Sequence, residues 1–171
     1  MLKKILLTTT ICLMLIIGFS SCNVGSQTNY SPRLTFLNPA TLNSDSTVKM
    51  SYTTDGNIQF DSLHVNDTVL LQVVSEGYTN NLKNFNITVA DSTDLKIILN
   101  DSITSLFDAK SDFKQGKFVF PNNIVFLNYP FKFITLKPKD KVKINFYLNS
   151  DATGVTNETQ MQLEFPVKPK R

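Results

Sequence analysis

Apolar and polar positions alternate with a period of two along most of the chain from Leu34 onward. Val48, Met50 and Tyr52 alternate with Lys49 and Ser51, and Phe85, Ile87 and Val89 alternate with Asn86 and Thr88. Leu95, Ile97 and Leu99 follow, then Val142, Ile144, Phe146 and Leu148, and finally Met161, Leu163, Phe165 and Val167. Successive side chains of a strand point to opposite faces, so this pattern predicts strands with one face in a core and the other toward water. Between the runs stand Asp55-Gly56-Asn57, Asn80-Asn81, Pro121-Asn122-Asn123 and Ser150-Asp151. Such residues close turns through local hydrogen bonds or by accepting positive φ. Many short strands separated by turn signals predict an all-β fold of two packed sheets. The one helical signal is a turn or two around Ile103, Leu106 and Phe107.

The beginning of the chain breaks the pattern. Met1-Leu2-Lys3-Lys4 leads into an apolar run from Ile5 to Phe19, followed by Ser20-Ser21-Cys22. A basic start, an apolar run and small residues before a cut site form a secretory signal. The run is interrupted by Thr8-Thr9-Thr10 and falls short of the roughly 20 residues that a membrane-spanning helix needs. Phe19-Ser20-Ser21-Cys22 resembles the lipobox of bacterial lipoproteins, which implies cleavage before Cys22 and lipid attached to that residue. Several acyl chains on one residue hold firmly where a single chain binds marginally. Asn23 follows, not the Asp that retains many such proteins at the inner membrane of Gram-negative bacteria, so the resemblance implies the outer membrane. The acidic cluster that resembles a surface-export tag in Bacteroidetes lipoproteins is missing after Cys22, which favours the periplasmic face over the cell surface. Residues 23–33 are polar and without apolar period, as expected of a flexible tether. The expected organisation is a signal peptide over 1–21, a lipidated tether over 22–33 and a sandwich over 34–171.

Composition narrows the function classes. A chain of 171 residues with 42% hydrophobic content can bury one medium-sized core but not two. Residues 1–21 carry Lys3 and Lys4 and no acid, so without them the formal charge of +3 falls to +1. That gives little electrostatic basis for nucleic-acid binding. Cys12 leaves with the signal and Cys22 becomes a thioether, so disulfide and thiol chemistry are not expected. With one His and no other ligand cluster, neither a metal site nor a cofactor is expected.

The body of the chain carries a second resemblance. Asp67-Thr68-Val69 opens a strand, Asp91-Ser92-Thr93-Asp94-Leu95 forms a turn, and Lys143-Ile144-Asn145-Phe146-Tyr147-Leu148-Asn149-Ser150-Asp151-Ala152 follows later. This order is similar to that of cohesin-type modules, with Asn66 in place of their Gly and Ser92 in place of their Pro. It implies an immunoglobulin-like or cohesin-like two-sheet sandwich, and a partner-binding role.

Catalysis finds few candidates. His64 lies between Leu63 and Val65 and is expected on the solvent-facing side of a strand, with no nucleophile identified near it. The three glutamates, Glu76, Glu158 and Glu164, form no pair suited to glycoside hydrolysis. Asp91-Ser92-Thr93-Asp94 and Asn43-Ser44-Asp45 carry hard oxygen ligands but lack the spacing of a calcium loop. A recurrent Asp-Ser/Thr pattern, with middle residues Ser46, Ser62, Thr68, Ser92 and Ser102, resembles the O-glycosylation site of exported Bacteroidetes proteins. The same residues also suit turns that lead into strands. Lys132, Lys137, Lys139, Lys141 and Lys143, with Lys168, Lys170 and Arg171, are expected to form a solvated face that discourages edge pairing. The aromatic run Phe118, Phe120, Phe126, Tyr129, Phe131 and Phe133 is core by its alternation. Around Pro121 and Pro130, however, Phe118, Phe120, Tyr129 and Phe131 are candidates for an exposed partner-binding surface. Together these features predict a non-catalytic, lipid-anchored envelope module that binds or supports another envelope protein. The alternative is a glycan-binding surface lipoprotein, which the lack of Trp disfavours.

Overall fold

The strand Thr68–Glu76 (β6) follows the alternation rule throughout: Val69, Leu71, Val73 and Ser75 are buried, and the residues between them are half-exposed. β6 is the middle strand of a five-stranded antiparallel sheet. On one side lie β1 (Arg33–Leu42) and then β2 (Ser46–Val48); on the other lie β10 (Phe126–Thr135) and then β8 (Leu95–Ile98). The structure is a computed structural model and describes residues 29–171. The expected signal peptide, Cys22 and most of the expected tether therefore lie outside the described residues.

A second sheet packs against the first and completes a β-sandwich. Its order is β3 (Met50–Tyr52), β4 (Ile58–Phe60), β12 (Glu158–Lys168), β11 (Lys139–Ser150), β7 (Leu82–Val89) and β9 (Lys117–Val119). The short β5 (Leu63–His64) also pairs with β12, and both β4 and β5 run parallel to it. Phe36 and Phe131 of the first sheet meet Phe146 of the second edge-on, at ring-centroid distances of 4.9 and 5.4 Å. Phe133 and Phe165 stack across the same interface at 5.5 Å. Burying rings of this size from both faces supplies most of the driving force for association of the sheets.

Three expectations need correction. Val48, Met50 and Tyr52 read as one strand, but the chain changes sheets at Lys49. β2 pairs with β1 in the first sheet, and β3 pairs with β4 in the second. The Asn38 side chain spans the corner, donating to the Met50 carbonyl (2.9 Å) and accepting from the Met50 amide (3.0 Å). Such strand-switching corners are a recognised device of sandwiches. The expected helical turn exists, but over Asp101–Thr104; Asn100 caps it by accepting from the Ile103 amide, and both Ile103 and Phe107 are buried. A 3-10 turn at Phe113–Gln115 follows, which the alternation did not signal.

The third correction concerns where the domain begins. Arg33 is already in β1, Pro32 is buried, and the Tyr30 ring packs on Tyr78 at 5.3 Å. Asn80 donates to the Tyr30 carbonyl (3.1 Å), and Asn29 donates to the Thr153 hydroxyl (3.4 Å). Residues 29–33, expected as tether, are thus packed on the sandwich. The chain enters at one end of the sandwich, beside the β6–β7 and β11–β12 turns.

At the opposite end, Asp67 ties the β5–β6 turn together. Its carboxylate accepts from the His64 amide (2.7 Å) and from the Asn43 side chain (2.8 Å). The Thr135 hydroxyl donates to the His64 carbonyl (2.6 Å), and the Thr135 amide donates to the Asp67 carbonyl (3.0 Å), which locks the end of β10 onto the turn. Asp67 is 8% exposed. Replacing it with Ala leaves two donors unpaired and is expected to lower unfolding stability by about 1–3 kcal/mol, read from urea denaturation. A change below about 0.5 kcal/mol would show that water satisfies the turn equally well.

Candidate functional site

A groove of about 450 Å³ runs along one side of the sandwich, where the two sheets part. Ile87 and Val89 of β7, Leu95 and Ile97 of β8, and Phe113 form its apolar lining; Ser92, Lys114 and Gln115 are at its rim. Its origin is topological. Among the described residues β8 is the outermost strand of the first sheet, and no strand of theirs covers its outer edge. β7 is covered on its outer side by β9, but only over Asn84–Asn86. The Ile87 amide donates to the Gly116 carbonyl (2.8 Å), and by the two-residue period Val89 points the same way, past the end of β9.

Gly116 closes the 3-10 turn with φ +68°, and a Cβ there would stand 2.2 Å from the Ile87 carbonyl oxygen. Only glycine allows this turn to approach β7 so closely and shape the floor of the groove. Val89 and Ile97 are half-buried although the alternation marks them as core, and Phe113 of the 3-10 turn is half-buried beside them. The outer edge of β8 and the end of β7 at Val89 border a groove lined by apolar and polar groups, an arrangement that accepts an added extended segment.

The aromatic residues expected at a partner surface lie elsewhere. Phe118, Phe120, Tyr129 and Phe131 are each at most 4% exposed. Phe107 explains why: its ring packs against Phe118 (5.1 Å), Phe120 (5.4 Å) and Tyr129 (5.4 Å), so the segment after the helical turn roofs this cluster. Burial pushes the Tyr129 phenol well above its ordinary pKa, and its hydroxyl pairs with the Ser75 hydroxyl at 3.3 Å. These four residues are core, and the expectation that they form an exposed surface is corrected. No protein-family model matches the chain, and no curated protein matches it either. The arrangement of its own side chains therefore carries the functional argument.

Phe126 is the exception in the aromatic run, at 54% exposed. It opens β10 opposite Glu76, the last residue of β6, where the ladder between the two strands ends. Tyr30 and Tyr78 lie at this same end and carried no alternation signal. Sequence reasoning placed Phe126 within an aromatic run without separating it from its buried neighbours.

The Asp-Ser/Thr positions do not converge. Ser46, Ser92 and Ser102 are exposed, whereas Ser62 and Thr68 are half-buried. Ser46 donates to the Leu42 carbonyl (2.8 Å), and the Thr68 amide donates to the Asn43 side chain (2.8 Å). In the turn around Ser92, the Asp91 carboxylate accepts from both the amide and the hydroxyl of Thr93, which hold its pKa below the ordinary value. Asp94 accepts from the Lys139 ammonium, and this bond raises the Lys139 pKa. The oxygen ligands of the 91–94 segment are thus engaged with neighbours, and among the described residues no three His, Cys, Asp or Glu side chains converge.

His64 sits in a cleft at the far end, with Asn43, Asn66, Asp67, Lys170 and Arg171. Its Nδ1 accepts from Arg171 Nε (3.2 Å) and stands 3.8 Å from Asp67 Oδ2. Of the lysines expected on a solvated face, Lys139, Lys141 and Lys143 are paired with acids. Glu164 lies 2.6 Å from the Lys141 ammonium and 3.7 Å from that of Lys143, while Lys137 donates to the Thr93 hydroxyl. Exposed pairs of this kind contribute little stability, and they offset part of the positive charge on this face.

Proposed function

We propose that this chain is a lipid-anchored module of the bacterial cell envelope that holds another envelope protein by strand addition, without catalysing a reaction. The observation supporting this reading is the groove between β7 and β8. Its apolar side chains lie between the outer edge of β8 and the end of β7, so an extended segment can gain main-chain hydrogen bonds and seat alternate side chains together. Lipid on Cys22, at the periplasmic face of the outer membrane, confines the module to a surface. Confinement raises the effective concentration of the groove toward a partner in the same membrane. The resemblance to cohesin-type modules is compatible with this role, since those too are binding sandwiches.

The test is comparative capture by crosslinking from native envelopes. Ile97→Asp puts a carboxylate in the trough and is expected to reduce recovery of a defined envelope protein at least about tenfold, the cost of burying one unpaired charge against an apolar segment. Leu37→Asp, at an exposed position of β1, three strands along the sheet from β8, is expected to leave recovery unchanged. Equal recovery with Ile97→Asp removes the groove from the reading. Recovery of polysaccharide and no protein replaces the reading with glycan binding.

A further inference from the structure

We propose that the end of the sandwich where residue 29 enters docks on the lipid–water interface of the bilayer, through Tyr30, Tyr78, Val125, Phe126 and Val155. The proposal rests on the lipid-anchor reading above and specifies which face of the domain meets the membrane.

Eight large apolar side chains are exposed among the described residues, and these five occupy one end. Tyr30 and Tyr78 are in ring contact at 5.3 Å. The Val125 carbonyl accepts from the Gly77 amide, next to Tyr78, and Phe126 faces Glu76 across the ladder. Val155 lies in the β11–β12 turn, which Asp151 binds to Asn81 and Thr153 binds to Asn29. Two pairs of charges beside the patch are matched: Arg33 lies 2.9 Å from Glu76, and Lys83 lies 3.4 Å from Asp151. Glu158, at the start of β12 on this end, is exposed and accepts from the Asn149 side chain. Two tyrosines beside Phe and Val suit the interface, where an apolar ring can sit at the acyl boundary with its hydroxyl among the headgroups.

The length of the intervening chain identifies the occupant. Between Cys22 and Asn29 the backbone spans at most about 25 Å when fully extended, and it arrives in the middle of this patch. Lipid on Cys22 brings this end, and no other, close to the bilayer. The opposite end, with the β10–β11 turn, lies about 35 Å further out along the 11-residue β12. A few exposed rings bind a membrane weakly alone, but attachment makes the contact intramolecular and so populates it.

The chain has no Trp, so one introduced indole reports one place. Full-length protein carrying Phe126→Trp is extracted from membranes and reconstituted in phosphatidylethanolamine–phosphatidylglycerol vesicles, with or without brominated acyl chains. A second preparation carries Leu136→Trp in the β10–β11 turn. Both native side chains are exposed, so neither substitution disturbs the core. The Phe126→Trp emission is expected to fall at least about twofold on brominated lipid, because interfacial rings reach the acyl boundary, while Leu136→Trp stays unquenched. If the protein floats with the vesicles and Phe126→Trp is not quenched, or both reporters are quenched equally, the docking is overturned and the anchor stands. If the Cys22 peptide carries no lipid mass and the protein does not float, the anchor reading falls and the docking with it.

Discussion

Phe146→Ala is expected to lower the free energy of unfolding by about 3–5 kcal/mol, a large share of the 5–15 kcal/mol typical of a whole domain. Phe146 is fully buried in the middle of β11, where three other rings surround it. Phe36 lies 4.9 Å away and Phe131 lies 5.4 Å away, both on the opposite sheet; Phe85 lies 6.0 Å away on the adjacent strand. Truncation removes the ring's transfer energy and leaves a void. β7 and β12 flank β11 along most of its length, so the backbone cannot close over that void. The measurement is urea denaturation, with a lower midpoint and an unchanged slope. Phe146→Leu keeps part of the volume and is expected to lose about half as much. A loss below about 1 kcal/mol for the alanine variant would mean that the two sheets do not meet at this ring.

The alternation identified the strands well wherever both flanking neighbours are strands. β6, β7, β11 and β12 each have partners over much of their length, so their inward faces are core for local reasons that the sequence expresses. It could not identify which sheet a strand joins. Val48 and Met50 have the same phase, yet they stand in different sheets, because a period of two marks a face and carries nothing about the partner. For the same reason Phe126 looked like Phe118 and Phe131. Its exposure comes from the ladder ending at Glu76, a long-range fact that no window around residue 126 contains. The groove was hidden too: Val89 and Ile97 alternate as core residues do, and only the early end of β9 leaves them half-covered.

These exceptions have a common cause. Each lies where a strand outruns its neighbours, at an end or at a sheet margin, and there the chain keeps apolar side chains that the core does not use. Two such places are well separated. One is the entry end with Phe126, and the other is the lateral trough lined by Val89 and Ile97. If the first rests on lipid, the second opens sideways along the membrane plane and stays accessible to a neighbouring envelope protein. The ion-paired turn of Lys139 and Asp94 then points away from the bilayer.

Removing the thiol at residue 22 is expected to have the largest effect on where the protein resides. The comparison needs a leader cleaved by general signal peptidase, because an uncut apolar run from Ile5 to Phe19 would itself hold the chain at the membrane. Behind such a leader, which replaces residues 1–21 and Cys12 with them, an exported chain bearing Cys22→Ser has no residue that can carry a thioether-linked lipid. A single myristoyl chain associates with membranes at an order of 10⁴ M⁻¹, and further chains make release negligible on the timescale of fractionation. The native chain is therefore expected wholly in the membrane fraction through a high-salt wash, with lipid mass on the peptide that begins at Cys22. The Cys22→Ser chain is expected in the soluble fraction, at a partition coefficient at least about a thousandfold lower. The rings at the entry end do not change this expectation, because untethered contact of a few interfacial side chains is weak and reversible. If the Cys22→Ser chain stays membrane-bound through the wash, the protein is held there by its folded domain, and the lipid anchor at Cys22 is not the cause.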